Sequence, residues 1–98
     1  MSLVFAWDPR KSALNRAKHS VSLLCVSFDE AITVFRDPLA RMFDDLVHSS
    51  EEDRQIIIGH SEKNRLLLVC FVERGSVIRI ISARKTSKVE RQDYEENE

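Results

Sequence analysis

Arg79, Arg84, Lys85, Lys88 and Arg91 gather at one strand-to-helix junction with Glu90 as the one acid among them. Guanidinium groups present planar, paired donors that match phosphate oxygens, and lysine adds a compact point charge. Arg79 interrupts the apolar run "VIRII". A long cation in mid-strand is costly to bury unless it meets an anion or an open cleft. Arg84 and Lys85 stand where a strand feeds a helix N-terminus, whose dipole attracts anions. A bound phosphate would satisfy both demands. The alternative reading is a solvated, charged helix start.

A second basic stretch lies at residues 10–19, where Arg10, Lys11, Arg16 and Lys18 meet no acid. Lys11, Asn15 and Lys18 fall at i, i+4 and i+7, one stripe of a helix. His19 ends that stripe. Its near-neutral titration suits a general acid or base beside a phosphate, and a purely structural histidine is the competing reading. Tyr94, the one tyrosine, either packs the last helix or meets a base or scissile phosphate. If both basic segments serve one scissile bond, their functional atoms converge to within about one nucleotide, on the order of 6–12 Å. His19, His48, His60, Cys25 and Cys70 show no close ligand spacing, so no metal site is expected. The two glycines build no phosphate loop, and no GxSxG elbow occurs, so no cofactor is expected.

The elements that must position these groups fit one domain spanning residues 1–98. With 43% apolar and 32% charged residues, the composition is that of a globular protein rather than a disordered one. No apolar run is long enough for a membrane span, and "MSLVFAWDPRK" has no signal-peptide pattern. With two cysteines and no disulfide framework, the expected location is cytoplasmic. The formal net charge of −1 hides segregation. Residues 28–53 carry eight acids against Arg36 and Arg41, and residues 74–91 carry six bases against Glu90.

"LVFAW" reads as a strand, and Asp8-Pro9 opens a helix to about Lys18. "SFDE" is spaced as a capping box for a second helix that Asp37-Pro38 stops. "LARMFD", "RQIIIG", "RLLLVCFVE" and "VIRIISA" read as strands, the third apolar on both faces as in a sheet centre. Ser87 and Glu90 repeat the capping-box spacing before a final helix. The expected fold is α+β: a small antiparallel sheet flanked by helices, in the order β-α-α-β-β-β-β-α.

Together "FAWDPRKSALNRAKHSVS", "SFDEAITVFRDPLA", "IIIG", "RLLLVCFVERG" and "IRIISARKTSKVERQDYE" resemble the BrnT family of type II toxins over nearly the whole chain. The resemblance implies a RelE-like ribonuclease fold and metal-independent RNA cleavage that inhibits translation and growth. It implies neutralisation by a BrnA-like antitoxin in a hetero-oligomer, with DNA contacted only through that antitoxin. Carried over residue by residue, Arg79 and Arg84 hold the phosphate. Lys18 and His19 transfer protons, and Tyr94 stacks or orients. Lys11, Lys85, Lys88 and Arg91 bind substrate. One departure stands beside His19, where "LLCV" and a second serine separate "KHSVS" from "FDEA". The competing function is a catalytically inactive module that binds an antitoxin or DNA.

Overall fold

A computed structural model describes residues 4–8, 10, 26–45 and 53–96. Strand β1 (Val4–Trp7) is followed by helix α1 (Phe28–Thr33), which tightens into a 3-10 turn at Val34–Arg36. Strands β2 (Arg41–Asp44), β3 (Arg54–His60), β4 (Leu66–Arg74) and β5 (Val77–Lys85) come next, and helix α2 (Lys88–Glu96) ends the order. The helix expected over residues 9–18 lies outside the described residues, apart from Arg10. Asp8 Oδ1 accepts from the Arg10 amide at 2.9 Å, as an N-cap would.

The five strands form one sheet in the order β1-β5-β4-β3-β2. Residues 66–72 therefore occupy its centre, as their two-sided apolar run requires. The sheet is mixed rather than antiparallel throughout, because β1 runs parallel to β5. Short turns force antiparallel pairing only between successive strands, and no such turn joins β1 to its neighbour. The β3–β4 turn takes Asn64 into the left-handed region at φ 59°, and the β4–β5 turn takes Gly75 there at φ 59°.

One face of the sheet carries the main core. Val26, Phe28, Ala31 and Val34 meet Ile57, Leu67, Val69, Phe71, Ile78, Ile80 and Ala83. Of the residues expected inside, Ile57, Leu67, Val69, Phe71 and Ile80 are buried, and Leu14 lies outside the described set. Phe35 is half-buried, its ring centroid 5.0 Å from Phe71 and 5.1 Å from Phe5. The opposite face carries a smaller cluster of Ile58, Leu66, Leu68 and Tyr94 beneath α2.

The first capping box closes only by half. Ser27 Oγ accepts from the Glu30 amide at 3.1 Å, but the Glu30 carboxylate turns inward. It accepts from Ser61 Oγ at 2.7 Å and from Arg65 Nε at 2.9 Å, tying α1 to the β3–β4 turn. Burial alone would raise the Glu30 carboxyl, yet hydrogen bonds from Arg65 and Ser61 hold it below the usual carboxylate range.

β3 passes so close to the chain before β2 that a Cβ on Gly59 would stand 2.8 Å from Ala40 Cβ and 3.1 Å from Val34 Cγ1. Gly59→Ala is expected to destabilise the fold by about 1–3 kcal/mol through overpacking, measured by urea denaturation. An unchanged midpoint would show that the Ala40 segment yields freely.

Candidate nucleic-acid interface

The face that carries α2 is built by alternation. On β3, Ile56 and Ile58 pack there, so Arg54 shares their side. On β4, Leu66, Leu68 and Cys70 do so, which places Arg74 with them. Arg41 pairs with Ile58, and its guanidinium stands 6.0 Å from the Tyr94 ring centroid. On β5, Ile78 and Ile80 enter the main core, leaving Arg79 on the α2 side. Five arginines thus converge on one face: Arg41, Arg54, Arg74, Arg79 and Arg84. Asp44 and Glu73 alternate to the other. Sequence reading missed Arg41, Arg54 and Arg74, although their even or odd spacing from buried neighbours carried the signal.

Arg84 belongs to this face only because of a bulge. Phe71 pairs with Ile80 and Cys70 with Ser82, leaving Ile81 unmatched. The extra residue inverts the alternation, so Ile80 and Ala83 both reach the core. Arg79 and Arg84, five positions apart, then share a side. Along the strand they are separated by roughly 13–17 Å.

Arg79 is half-buried and forms no ion pair with any described residue. Ala6 flanks it on β1 and Val72 on β4, with Arg54 beyond Val72. The Cα atoms of Arg54 and Arg79 are about 10 Å apart across the sheet. Of the described helices, α1 covers the other face and α2 packs toward the Leu66–Leu68 end. Among the described residues its strand neighbours Ala6 and Val72 are small and apolar, which suits the Arg79 guanidinium to an anion arriving from solvent.

Arg84 is used differently from the expectation. Its fork is filled by Glu90, Nη1 to Oε1 at 2.7 Å and Nη2 to Oε2 at 2.8 Å. Glu90 also closes the second capping box, accepting from the Ser87 amide at 2.7 Å while its own amide donates to Ser87 Oγ at 3.2 Å. The pair fastens α2 to the sheet, and the paired Nη1 and Nη2 donors that would grip a phosphate are engaged by Glu90 in this arrangement. Tyr94 is also corrected. Its side chain is buried and its hydroxyl donates to the Leu39 carbonyl at 3.2 Å, so it presents no face to a base. His60 completes its packing edge-on, centroids 5.8 Å apart.

Lys85 alternates to the side opposite Arg84, and Lys88 and Arg91 are exposed on α2. Lys85 therefore lies off the arginine face. Lys11, Lys18 and His19 lie outside the described residues, as does the stretch beside His19. Between β2 and α2 a groove of about 480 Å³ is lined by Arg41, Phe43, Ile58, Glu90, Asp93 and Tyr94. No helix among the described residues is long and apolar enough to cross a membrane.

A family model described as the ribonuclease toxin, BrnT, of a type II toxin-antitoxin system matches residues 7–90. The chain belongs to the BrnT family. Among solved structures, the crystal structure of the Brucella abortus ribonuclease toxin BrnT is similar with a TM-score of 0.63. The two chains share 24% identity over 89% of this chain and 100% of that one, a likeness that shows the fold. No curated protein sequence matched the chain.

Membership in a toxin family of this type implies an antitoxin partner. The stretch matched to BrnT contains Lys11, Lys18, His19, Arg79, Arg84, Lys85 and Lys88, whereas Arg91 and Tyr94 fall beyond it. In this BrnT-family chain the end of the arginine face is expected to respond to acid. Hydrogen bonding to Arg84 holds the Glu90 carboxyl down at about 2. A depressed carboxyl contributes stability above its ordinary pKa and loses it as pH falls through the folded value. α2 is therefore expected to loosen between about pH 4.5 and 2, and Glu90→Gln to remove that pH dependence. Tyr94 absorbance during acid titration reports it, and a signal constant down to pH 2 would contradict it.

Proposed function

We propose that the arginine face binds RNA and that Arg79 stabilises the charge developing on the scissile phosphate during metal-independent cleavage. The carrying observation is a half-buried arginine without an ion pair among the described residues, on a face shared with four more arginines. The attacking group in this reading is the RNA's own 2′-hydroxyl. Lys18 and His19 supply proton transfer from the first basic segment. Arg84 acts by positioning α2 rather than by touching substrate, and Lys11, Lys85, Lys88 and Arg91 add longer-range attraction for the RNA backbone. The reading groups the fold with RelE-type ribonucleases.

The same reading assigns a BrnA-like antitoxin as the partner that covers the face and carries any DNA contact. Hydrogen exchange of the complex would then protect the β3–β5 arginine rows, and protection confined to residues 40–53 would count against it. Cleavage of RNA by the purified chain, with and without EDTA, tests the enzyme. Cleavage unaffected by EDTA supports the proposal. Intact RNA under both conditions would favour a non-catalytic, antitoxin-binding module.

A further inference from the structure

The groove between β2 and α2 lies on the arginine face, yet its lining is not that of a phosphate seat. At about 480 Å³ it has the size of a small-ligand pocket. Phe43 pairs with Ile56 and so stands on the α2 side, where Ile58 and Tyr94 complete an apolar lining. Its ring is 49% exposed, a large aromatic surface held half in solvent. Arg54 is the diagonal neighbour of Phe43 across β2 and β3, about 7–8 Å away at Cα. One nucleotide spans that separation, so the groove adjoins the arginine row. Glu90 and Asp93 line it from α2, and carboxylates repel a backbone phosphate.

A flat ring with donors on one edge and acceptors on the next fits this lining. Glu90 is occupied by Arg84 and Ser87. Asp93, exposed on the helix wall, offers acceptors only, and about four lone-pair sites let it receive ligand donors alongside an existing partner. Arg41, on the strand wall, offers donors only. It has no ion pair with a described residue, and its guanidinium stands 6.0 Å from the Tyr94 ring centroid. Among the RNA bases, guanine meets both. Its N1–H and N2 amino group lie side by side for a carboxylate, and its O6 and N7 accept from a guanidinium. Adenine sets an amino donor where O6 would be, against Arg41. Phe43 supplies a stacking surface that an unpaired base can reach.

We propose that this groove takes one unpaired guanine of an RNA strand, stacked on Phe43, with Asp93 accepting from its N1 and N2 groups and Arg41 donating to its O6 and N7. The inference rests on the arginine face binding RNA and adds base selection to it. A guanine seated here sets which phosphate of the strand reaches Arg79.

Fluorescence anisotropy of the full chain with 2′-O-methyl oligouridine, with or without one central guanosine, tests it. The methyl group blocks the 2′-hydroxyl, so the strand stays intact during the measurement. The guanosine is expected to tighten binding about tenfold. Adenosine, cytidine or inosine (which lacks the N2 amino group) in its place should recover little of that gain. Asp93→Ala is expected to abolish the guanosine advantage while the all-uridine strand binds as well or better, an acid having left the RNA face. Phe43→Ala should weaken the guanosine strand about tenfold. Both side chains are exposed, and the inosine comparison needs no variant at all. Tighter binding of every strand by Asp93→Ala, with the guanosine advantage intact, would mean that Asp93 only repels RNA and overturns the proposal. Equal affinity for guanosine, adenosine and inosine strands, all weakened by Arg79→Ala, overturns base selection alone and leaves the groove to a protein segment. Binding of no strand overturns the RNA reading of the arginine face and this inference with it.

Discussion

Arg79→Ala is expected to lower RNA cleavage by on the order of 10²–10³-fold, a loss of about 2–4 kcal/mol in transition-state stabilisation. The magnitude follows from a donor that meets charge as it develops, near strands that exclude some water. The folded state should change little, because Arg79 has no ion pair among the described residues and packs beside Ala6 and Val72. Arg79→Lys keeps the charge but not the paired donors, and should recover only part of the rate.

The sharper contrast is with Arg84→Ala. That change breaks a bidentate pair and releases the cap residue of α2, so activity and melting temperature should fall together. Induced expression gives the same comparison in cells. Growth arrest by the native chain and by Arg84→Ala at low temperature, but not by Arg79→Ala, is the expected pattern. Equal cleavage by Arg79→Ala and the native chain would remove Arg79 from the site.

The largest expected effect on stability lies on the other face. Glu30 is 2% exposed and receives hydrogen bonds from Ser61 and from two nitrogens of Arg65. Glu30→Ala removes the carboxylate that pairs with the partly buried Arg65 guanidinium and is expected to cost about 3–5 kcal/mol. For a domain with total stability of about 5–15 kcal/mol, that is enough to unfold a marginal variant. Removing both partners should cost less than the sum of the two single changes, because no charge is left stranded. A double-mutant cycle in urea reads this directly. A loss below about 1 kcal/mol for Glu30→Ala would mean that water replaces Ser61 and Arg65 without penalty.

Local rules made much of the architecture readable. Caps at Ser27 and Ser87, the turn at Gly75 and the two-sided apolar run of β4 are decided within a few residues of chain. What eluded reading depends on distant partners. Glu30 carries a capping-box signature, but Arg65, thirty-five positions away, competes successfully for its carboxylate. The parallel course of β1 is set by β5, not by anything near Val4. Arg41 and Arg54 are camouflaged by acidic neighbours in sequence, and only the register shows them beside Arg79.

The functional residues divide along the same line. Arg79 was legible because a cation within a β-branched run is anomalous wherever the run ends up. Arg84 and Tyr94 were legible as notable, but not as α2's fastening. Simple alternation would even have set Arg79 and Arg84 on opposite sides of the sheet. A single unmatched residue, Ile81, brings them to the same side.

The pairing of β1 with β5 also bears on timing. Val4 meets Val77, more than seventy positions later in the chain. Contacts of such sequence separation close large loops and tend to form after the local hairpins have condensed. The β3–β4–β5 meander can assemble early and display Arg79, but the strand that flanks it arrives from the opposite end of the sequence. Ala6 becomes its neighbour only when that closure is complete. The strand beside Arg79 is thus expected to be among the last parts of the molecule to form, which would couple the proposed RNA site to the end of folding rather than to its beginning.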